Sequence, residues 1–387
     1  MRVFVVGHVA PGCHRAWAIN IVKTAGGFAR LGHRVRVAAR QPESGWTLKS
    51  AARAYHEPDL EWVCYPCEPQ GDDMVGGSAF LSRYATWCAD EAARFVPDMV
   101  YARHFTAAAA CALAGFPTIM ETHGDLTDRA FGADECFDLL RRGVIRALAT
   151  IATPLAQIYE RAGVPANRIS IIEDGVDVEL FSRPSGFARK SSHALRSDAF
   201  NVLYAGHLYD YKGVPTILDA AARLRAVGVG ASGRPIAFHL LGGADEDIKR
   251  VRSAVRDRGL GAVRVHGCVA HAEVAPWLWS ADALLLPPSA HHRSARWTSP
   301  VKLGEYLASG RPLICSDIPA LRTLVDDRVA TFFRADDAGD LLRAIKSVGA
   351  ISVDEVAARE CAGLRLAAAW SYRERARRMI EATYAKG

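Results

Sequence analysis

The chain has 387 residues, of which half are hydrophobic and 23% are charged, and its formal net charge is +6 at pH 7. This length exceeds the size at which a single hydrophobic core usually stops growing, so the sequence predicts two domains. A membrane-spanning protein is not expected, because no stretch approaches the roughly 18–20 continuous apolar residues that cross a bilayer. Residues 1–7 resemble a β-strand rather than a signal peptide, which predicts a cytoplasmic protein.

The charge is distributed unevenly along the chain. Residues 1–185 carry 19 Lys and Arg against 21 Asp and Glu, whereas residues 186–387 carry 29 against 21. An excess of positive charge on one half favours an anionic ligand that is held by that half. Nucleic acid is not expected as a partner, because the sequence shows neither a dense basic stripe with aromatic residues nor a known nucleic-acid-binding module.

Nine cysteines are scattered through the predicted helices and strands, and only Cys64 and Cys67 form a CxxC pair. A zinc site would need a second pair or histidines at short spacing. The pattern therefore predicts reduced thiols, as is usual in the cytosol.

The apolar patterns predict alternating strands and helices, with a strand–helix–strand start at residue 2 and another at residue 200. Near-continuous apolar strands between helices indicate parallel sheets that are covered on both faces. Two such starts predict two doubly wound domains, joined by the polar, structure-poor linker 182–199. The expected strands are 2–7, 34–39, 200–205, 236–241, 262–266, 283–286 and 312–316, and the expected helices are 17–31, 215–226, 246–258, 273–279 and 300–309.

Ligands of open parallel sheets bind beyond the carboxyl ends of the strands. The loop 206–213 leaves a predicted strand through Gly206, which lets the backbone approach a phosphate, and it carries Lys212, which can neutralise one. Gly242 and Gly243 follow another buried strand and are a weaker signal of the same kind. Taken alone, these loops could equally be ordinary turns.

A second candidate anion site precedes the predicted helix 300–309. Ser299 is expected to be the N-cap and Pro300 the first helical residue, and the free N–H groups of the first turn form an anion site. Glu305 lies further inside the helix and can accept two hydrogen bonds from a ribose diol. The alternative interpretation is a surface ion pair between Lys302 and Glu305.

Six motifs in this order resemble the retaining glycosyltransferases of family 4. They are WAINIVKTAGGFARLGHRVRV at 17–37, YAR at 101–103 with ETHG at 121–124, DGVD at 174–177 with Phe181, GHLYDYKG at 206–213, SPVKLGEYLASGRP at 299–312, and WS at 370–371 with Arg375 and Ala376. The resemblance implies an α/β fold of the GT-B type, in which two Rossmann-like domains face each other across a cleft. It implies an acceptor-binding domain at 1–181, a nucleotide-sugar-binding domain at 200–368, and a C-terminal helix at 369–387 that crosses back to the N-terminal domain.

The resemblance also implies roles for single residues. Lys212 would neutralise the diphosphate of the donor, Glu305 would hold its ribose hydroxyls, and His123 would lie at the reacting sugar, so these three are the expected catalytic residues. The other expected donor-binding residues are Gly12, Gly206, His207, Gly242, Ser299, Pro300, Val301 and Lys302. Neither a metal nor a cofactor besides the donor substrate is expected, because positive groups and a helix N-terminus can stabilise the leaving diphosphate.

Three positions depart from the family's pattern. His207 replaces the usual arginine, so one fixed positive charge at the diphosphate is weakened or supplied elsewhere. Trp297 replaces a second glutamate, and Asp174 replaces an asparagine in a turn that accepts either residue. We expect Arg293 or Arg296 to supply the lost charge from a possible substrate loop, with a solvated basic loop as the alternative.

The function implied by the resemblance is transfer of a sugar from a nucleotide-diphosphate sugar to a glycan or lipid-linked acceptor, with retention of configuration, in bacterial envelope or exopolysaccharide biosynthesis. One alternative is a non-catalytic nucleotide-sugar-binding partner of a polysaccharide assembly complex, which His207 and Trp297 suggest. Another is a sugar-nucleotide epimerase with the same fold. A nicotinamide-dependent oxidoreductase is not supported, because no GxGxxG follows a strand with an acidic residue at the right spacing. Peripheral contact with the inner face of the membrane would depend on Arg141, Arg142 and Arg146.

Overall fold

The computed structural model describes residues 1–13, 15–66, 77–127, 132–187, 195–227 and 230–384. The chain forms two compact units, Met1–Gly175 with Trp370–Gly387, and Val176–Ala369. The first unit thus ends before the expected boundary at 181, because the segment that follows Gly175 packs within the second unit, where the indole of Trp279 donates to the carbonyl of Phe181 at 2.7 Å. Within the expected linker 182–199, residues 188–194 lie outside the described residues.

The first unit is built on a parallel sheet in the order β3-β2-β1-β4-β5-β6-β7. Its strands are β1 (Arg2–Val9), β2 (Arg34–Ala39), β3 (Glu61–Cys64), β4 (Met99–Ala102), β5 (Thr118–Thr122), β6 (Ala147–Thr150) and β7 (Ile169–Ile171). Its first helices are α1 (Ala16–Arg30), α2 (Leu48–Ala54), α3 (Ser78–Phe95), α4 (Phe105–Leu113), α5 (Ala133–Arg141) and α6 (Thr153–Arg161). The strands β1, β4, β5 and β6 are almost fully buried because apolar side chains cover both faces of the sheet.

The second unit has a parallel sheet in the order β11-β10-β8-β12-β13-β14, and the short β9 pairs antiparallel with β10. Its helices are α7 (Val178–Phe181), α8 (Val214–Val227), α9 (Asp245–Asp257), α10 (His271–Ser280), α11 (Val301–Ala308), α12 (Pro319–Arg322), α13 (Ala338–Ala350) and α14 (Val353–Ala369). Its strands are β8 (Phe200–Ala205), β9 (Gly230–Ala231), β10 (Arg234–Leu241), β11 (Val263–Gly267), β12 (Ala283–Leu286), β13 (Leu313–Asp317) and β14 (Ala330–Arg334). The strand order reverses between β8 and β12, which is where such sheets bind ligands.

The last helix, α15 (Tyr372–Tyr384), belongs to the first unit, as the family resemblance implies. Ala376 and Met379 of α15 join the core around α1. The two helices approach closely at Gly27, where a Cβ atom would lie 2.1 Å from the carbonyl oxygen of Tyr372. A glycine at this point of α1 therefore permits the contact.

The predicted strands and helices are found within two residues at each end. The expected cap of α11 is wrong: the helix begins at Val301 with Pro300 at the N-cap, and no side-chain hydrogen bond caps it. Pro300 has the extended conformation, with φ −72° and ψ 122°, so Ser299 lies one residue too far from the first turn to act as its cap.

Two further features of the described residues bear on the expected location and chemistry. No helix within the described ranges is long and apolar enough to span a bilayer. The eight described cysteines are free, and Cys67 of the predicted CxxC pair lies outside the described residues.

Candidate functional site

In the second unit, the ends of β8 and β10 bring together two of the glycines expected to bind the donor. Gly206 has φ +144°, and a Cβ atom there would lie 2.0 Å from Nζ of Lys302. Gly242 has φ +108°, and its Cβ would lie 2.7 Å from the carbonyl oxygen of Gly206. Only residues without a side chain allow the backbone and the lysine to meet so closely, so both glycines shape this site.

Tyr204 holds the ammonium group of Lys302 in place. Nζ donates to the Tyr204 hydroxyl at 3.1 Å and lies 4.3 Å from the centre of its ring. The same hydroxyl donates to the carbonyl of His207 at 2.6 Å. Tyr204 of β8 therefore links the ammonium group of Lys302, on α11, to the loop that follows β8.

Lys212 lies close enough to Lys302 for the two positive charges to repel each other. Burial is the largest of the causes that lower the pKa of Lys302 to about 7, and the charge of Lys212 lowers it further. The negative charge of Glu305 acts in the opposite direction. Burial also lowers the pKa of Lys212. Both side chains are half-buried, and neither forms an ion pair with any residue that the structure describes. An anion that touched both ammonium groups would remove this repulsion, which is the behaviour expected of a diphosphate site.

Glu305 is not paired with Lys302, so the alternative of a surface ion pair is wrong. Its Oε1 lies 3.0 Å from Nε2 of His271, the first residue of α10, and the carboxylate is mostly buried. The imidazole of His271 also packs edge-on against the ring of Phe181, with centroids 5.3 Å apart. His271 therefore orients the carboxylate that is expected to hold the ribose. This histidine lies outside the sequence motifs and was not among the predicted site residues.

A row of stacked rings joins the loop after β8 to the loop before α11. His207 stacks on Tyr209, Tyr209 on Tyr211, and Tyr211 on His292, with centroid distances of 5.0, 5.6 and 4.2 Å. Nζ of Lys212 lies 4.9 Å from the centre of the Tyr211 ring. These contacts connect the loop that carries Lys212 to the segment before α11.

Arg293 and Arg296 lie in a single 3₁₀ turn after this row of rings. Both side chains are exposed, and neither has an ion-pair partner among the residues that the structure describes. The structure thus leaves them able to approach a ligand, and the expectation that one of them replaces the missing arginine stays a prediction.

In the first unit, the backbone amide of Gly12 donates to the hydroxyl of Tyr55 at 3.2 Å. Gly12 has φ +101°, and a Cβ atom would lie 2.5 Å from Cγ of Trp46. The position therefore requires glycine, and the amide expected to bind phosphate has a partner in this structure.

His123 of the first unit lies beyond the end of β5, between two buried carboxylates. Its Nε2 is hydrogen-bonded to Glu121, and its Nδ1 lies 3.5 Å from Oδ1 of Asp174. Asn20 of α1 donates to the same oxygen of Asp174. The expected catalytic histidine is therefore fixed on both sides, while about a fifth of its side chain is exposed.

Glu121, His123 and Asp174 each place one possible ligand atom within 4.8 Å of the others, which is close enough for these atoms to share a metal ion. Glu121 already forms a buried ion pair with Arg375 and accepts a hydrogen bond from Tyr101 at 2.7 Å. The guanidinium group supplies the positive charge that a metal would otherwise provide. These residues therefore do not fit a metal site, and independence from metals stays a prediction.

Two family models match separate parts of the chain. The "Glycosyl transferase 4-like domain" matches residues 20–175, and "Glycosyl transferases group 1" matches residues 199–349. Together they cover most of both units, and they correspond to the family that the sequence motifs resemble.

Curated relatives carry the name D-inositol 3-phosphate glycosyltransferase. The protein numbered 1 from Catenulispora acidiphila is 27% identical over 184 residues, which are 46% of this chain and 43% of that protein. The protein from Paenarthrobacter aurescens is 28% identical over 230 residues, which are 58% of this chain and 53% of that protein. The match thus spans about half the length of these relatives.

Solved structures share the fold over nearly the whole chain. A glycosyltransferase from Rickettsia africae ESF-5 has a TM-score of 0.77 at 14% identity and covers 99% of this chain and 98% of its own. Anabaena Alr3699/HepE in complex with UDP has a TM-score of 0.74 at 16% identity and covers 100% of both chains. These matches confirm the two Rossmann-like domains of the predicted fold. With both family models matched, the chain belongs to the group 1 glycosyltransferases.

Proposed function

We propose that this protein transfers a sugar from a nucleotide-diphosphate sugar to a hydroxyl group of an acceptor. The observation that carries the proposal is the pair of half-buried lysines, Lys212 and Lys302, whose charges repel each other near the end of β8 without an ion-pair partner among the described residues. The N-terminus of α11 carries no side-chain cap and adds partial positive charge at the same edge of the sheet. Membership of the family and a solved neighbour in complex with UDP support the same ligand class.

The charges suit a transfer reaction in which a diphosphate leaves. The bond from the anomeric carbon to the diphosphate oxygen breaks, and the acceptor oxygen forms a new bond to that carbon. The proton of the acceptor hydroxyl passes to the leaving phosphate. Lys212 and Lys302 stabilise the negative charge as it develops, and Glu305, oriented by His271, accepts hydrogen bonds from the ribose. Retention of configuration and independence from metals belong to this proposal.

The acceptor binds to the first unit, where His123 is the partly exposed member of a buried polar network. The curated relatives are named for D-inositol 3-phosphate, so a phosphorylated polyol is the first acceptor to test. A glycan or lipid-linked acceptor in envelope or exopolysaccharide biosynthesis is the second. The two classes are separated by supplying each acceptor with the same donor and identifying the product by mass spectrometry.

Peripheral contact with a membrane remains part of the proposal for the lipid-linked acceptor. In the expected basic patch, Arg141 and Arg142 both pair with Asp138, at 3.8 and 3.2 Å. This pairing lowers the charge that the patch can offer to anionic lipids. Sedimentation with anionic vesicles at low and physiological salt measures whether any contact occurs, and no binding in either condition would contradict it.

The decisive experiment compares donor binding with turnover. Thermal shift and calorimetry with UDP, UDP-glucose and other nucleotide sugars should give one preferred ligand, and release of the nucleoside diphosphate should then depend on an acceptor. Lys212→Ala should abolish this release, whereas Lys346→Ala, which changes an exposed lysine on α13, should leave it unchanged. Equal turnover of both variants would refute the diphosphate site. Tight binding without transfer to any acceptor would favour the non-catalytic alternative.

A further inference from the structure

The guanidinium group of Arg375, on α15, lies inside the first unit, and this residue is 1% exposed. Its Nη2 donates to Oε2 of Glu121, and its Nε donates to the hydroxyl of Thr24 at 3.3 Å. Its Nη1 donates to the carbonyls of Ile172 and Glu173 at 3.2 and 3.0 Å. Because four acceptors hold the planar group, Glu121 meets a positive charge whose position is fixed.

The environment of Glu121 keeps its carboxyl group ionised. Burial alone would raise the pKa of Glu121, but the charges of Arg375, His123 and Arg103 together hold that pKa well below its usual range. Oε2 also accepts a hydrogen bond from the hydroxyl of Tyr101. An ionised carboxylate can only accept hydrogen bonds, so each group that is bonded to Glu121 must be a donor.

This requirement decides that Nε2 of His123 carries a proton. Nε2 is hydrogen-bonded to Oε1 of Glu121 and must donate, because the carboxylate has no proton to give. Nδ1, on the other side of the ring, faces the carboxylate of Asp174, with Oδ1 at 3.5 Å. His123 has the most exposed side chain of this group, at 21%, against 1% for Glu121 and 5% for Asp174.

We propose that Glu121 and Arg375 are positioning residues that hold the ring of His123 in one orientation, with a proton on Nε2 directed at Glu121. The exposed part of the ring then meets a substrate hydroxyl in that one orientation, and this last step rests on the proposed function. Arg375 acts through Glu121 and touches no reacting atom. The last helix of the chain thereby controls the hydrogen-bonding pattern of a site formed by β5.

The test replaces the carboxylate by a group that can either donate or accept. Glu121→Gln removes the rule that Nε2 must donate, so Nε2 of His123 should be protonated in only a part of the molecules. Because this change leaves the guanidinium group buried without its carboxylate, the double variant Glu121→Gln with Arg375→Met is measured alongside it. Arg373→Met changes an exposed arginine on the same helix and serves as the matched control.

The first readout is the pair of ¹⁵N resonances of the His123 ring in the full-length protein, with a His123→Gln sample to assign them. Wild type and Arg373→Met should show a fully protonated Nε2, and both Glu121 variants should show an Nε2 that is protonated only in part. The second readout is turnover, where kcat should fall by about 10- to 100-fold while KM for the donor changes little. Glu121→Asp, which keeps the carboxylate, should restore part of kcat.

A fully protonated Nε2 in folded Glu121→Gln and in the folded double variant would overturn the inference. Unchanged kcat in both variants would overturn the catalytic part of it. The proposed function fails separately: a wild-type protein that binds no nucleotide sugar, or transfers none, disproves transfer, while the ¹⁵N spectra still decide the positioning of His123.

Discussion

Replacing Gly206 by alanine is the most direct test of the lysine site in the second unit. The new Cβ would lie 2.0 Å from Nζ of Lys302 and 2.9 Å from its Cε, and the backbone there has φ +144°. The end of a lysine is flexible, so the clash is relieved by moving the ammonium group rather than the strand. Nζ must retreat by about 1.5 Å to reach an ordinary contact distance of roughly 3.5 Å.

The size of the effect follows from two separate terms. A φ of +144° lies outside the left-handed helical region near about +57°, so alanine at Gly206 costs more than the roughly 1–2 kcal/mol of folding stability that a left-handed residue costs. The displaced ammonium loses its hydrogen bond to Tyr204 and can no longer meet a phosphate at its former position. A hydrogen bond to a charged group is worth about 1.5–3 kcal/mol, so Kd for UDP should rise by roughly 10- to 100-fold.

Gly233→Ala provides the matched control within the same unit. Gly233 also has a positive φ, +69°, but nothing lies within 4 Å of the Cβ that would be added. Urea unfolding should show a loss of stability for both variants, and a larger loss for Gly206→Ala because its φ lies outside the left-handed helical region. Calorimetry should show weaker UDP binding only for Gly206→Ala. If Gly206→Ala binds UDP as tightly as wild type does, the ammonium of Lys302 is not part of the anion site.

Three further predictions concern charge, orientation and packing. Because burial and a neighbouring lysine lower the pKa of Lys302 to about 7, this amine is mostly neutral above that pH and must take up a proton when a diphosphate binds. Affinity should therefore fall as pH rises from 7 to 9, with proton uptake in calorimetry, and a constant Kd would contradict this. His271→Ala should free the carboxylate of Glu305 and weaken UDP binding by about 3- to 10-fold without affecting inorganic diphosphate, and equal losses for both ligands would refute its orienting role. Gly27→Ala should destabilise the first unit by more than about 2 kcal/mol, because its Cβ would lie 2.1 Å from the backbone of Tyr372, and an unchanged urea midpoint would show that α1 and α15 separate easily.

The fold could be predicted because its signals are local. The strands β8 and β12 begin and end at the predicted residues, since each is a short and mostly apolar run with a change of composition at its ends. The return of the last helix was implied by a family resemblance rather than by its own pattern. Its contact with α1 depends on Gly27, which nothing in the local sequence distinguishes from other helical glycines.

The candidate site could be predicted only in part, because its decisive contacts join distant segments. The sequence placed Lys302 and Glu305 on one helix, at a spacing that allows an ion pair. The structure instead directs Lys302 toward Tyr204 and Glu305 toward His271. Only a three-dimensional arrangement shows that Gly206 leaves the space in which the lysine lies.

The replacement of the family's usual arginine by His207 bears on how complete the anion site is. The carbonyl of His207, not its ring, accepts the hydrogen bond from Tyr204 that anchors Lys302. Any residue at this position offers the same carbonyl, so the change of side chain leaves that anchor intact. The ring of His207 instead stacks on Tyr209 and extends the row of rings beside Lys212. The site therefore lacks one arginine while it keeps Lys212 and Lys302, and under the proposed function the preorganisation of these two lysines would stabilise a leaving diphosphate.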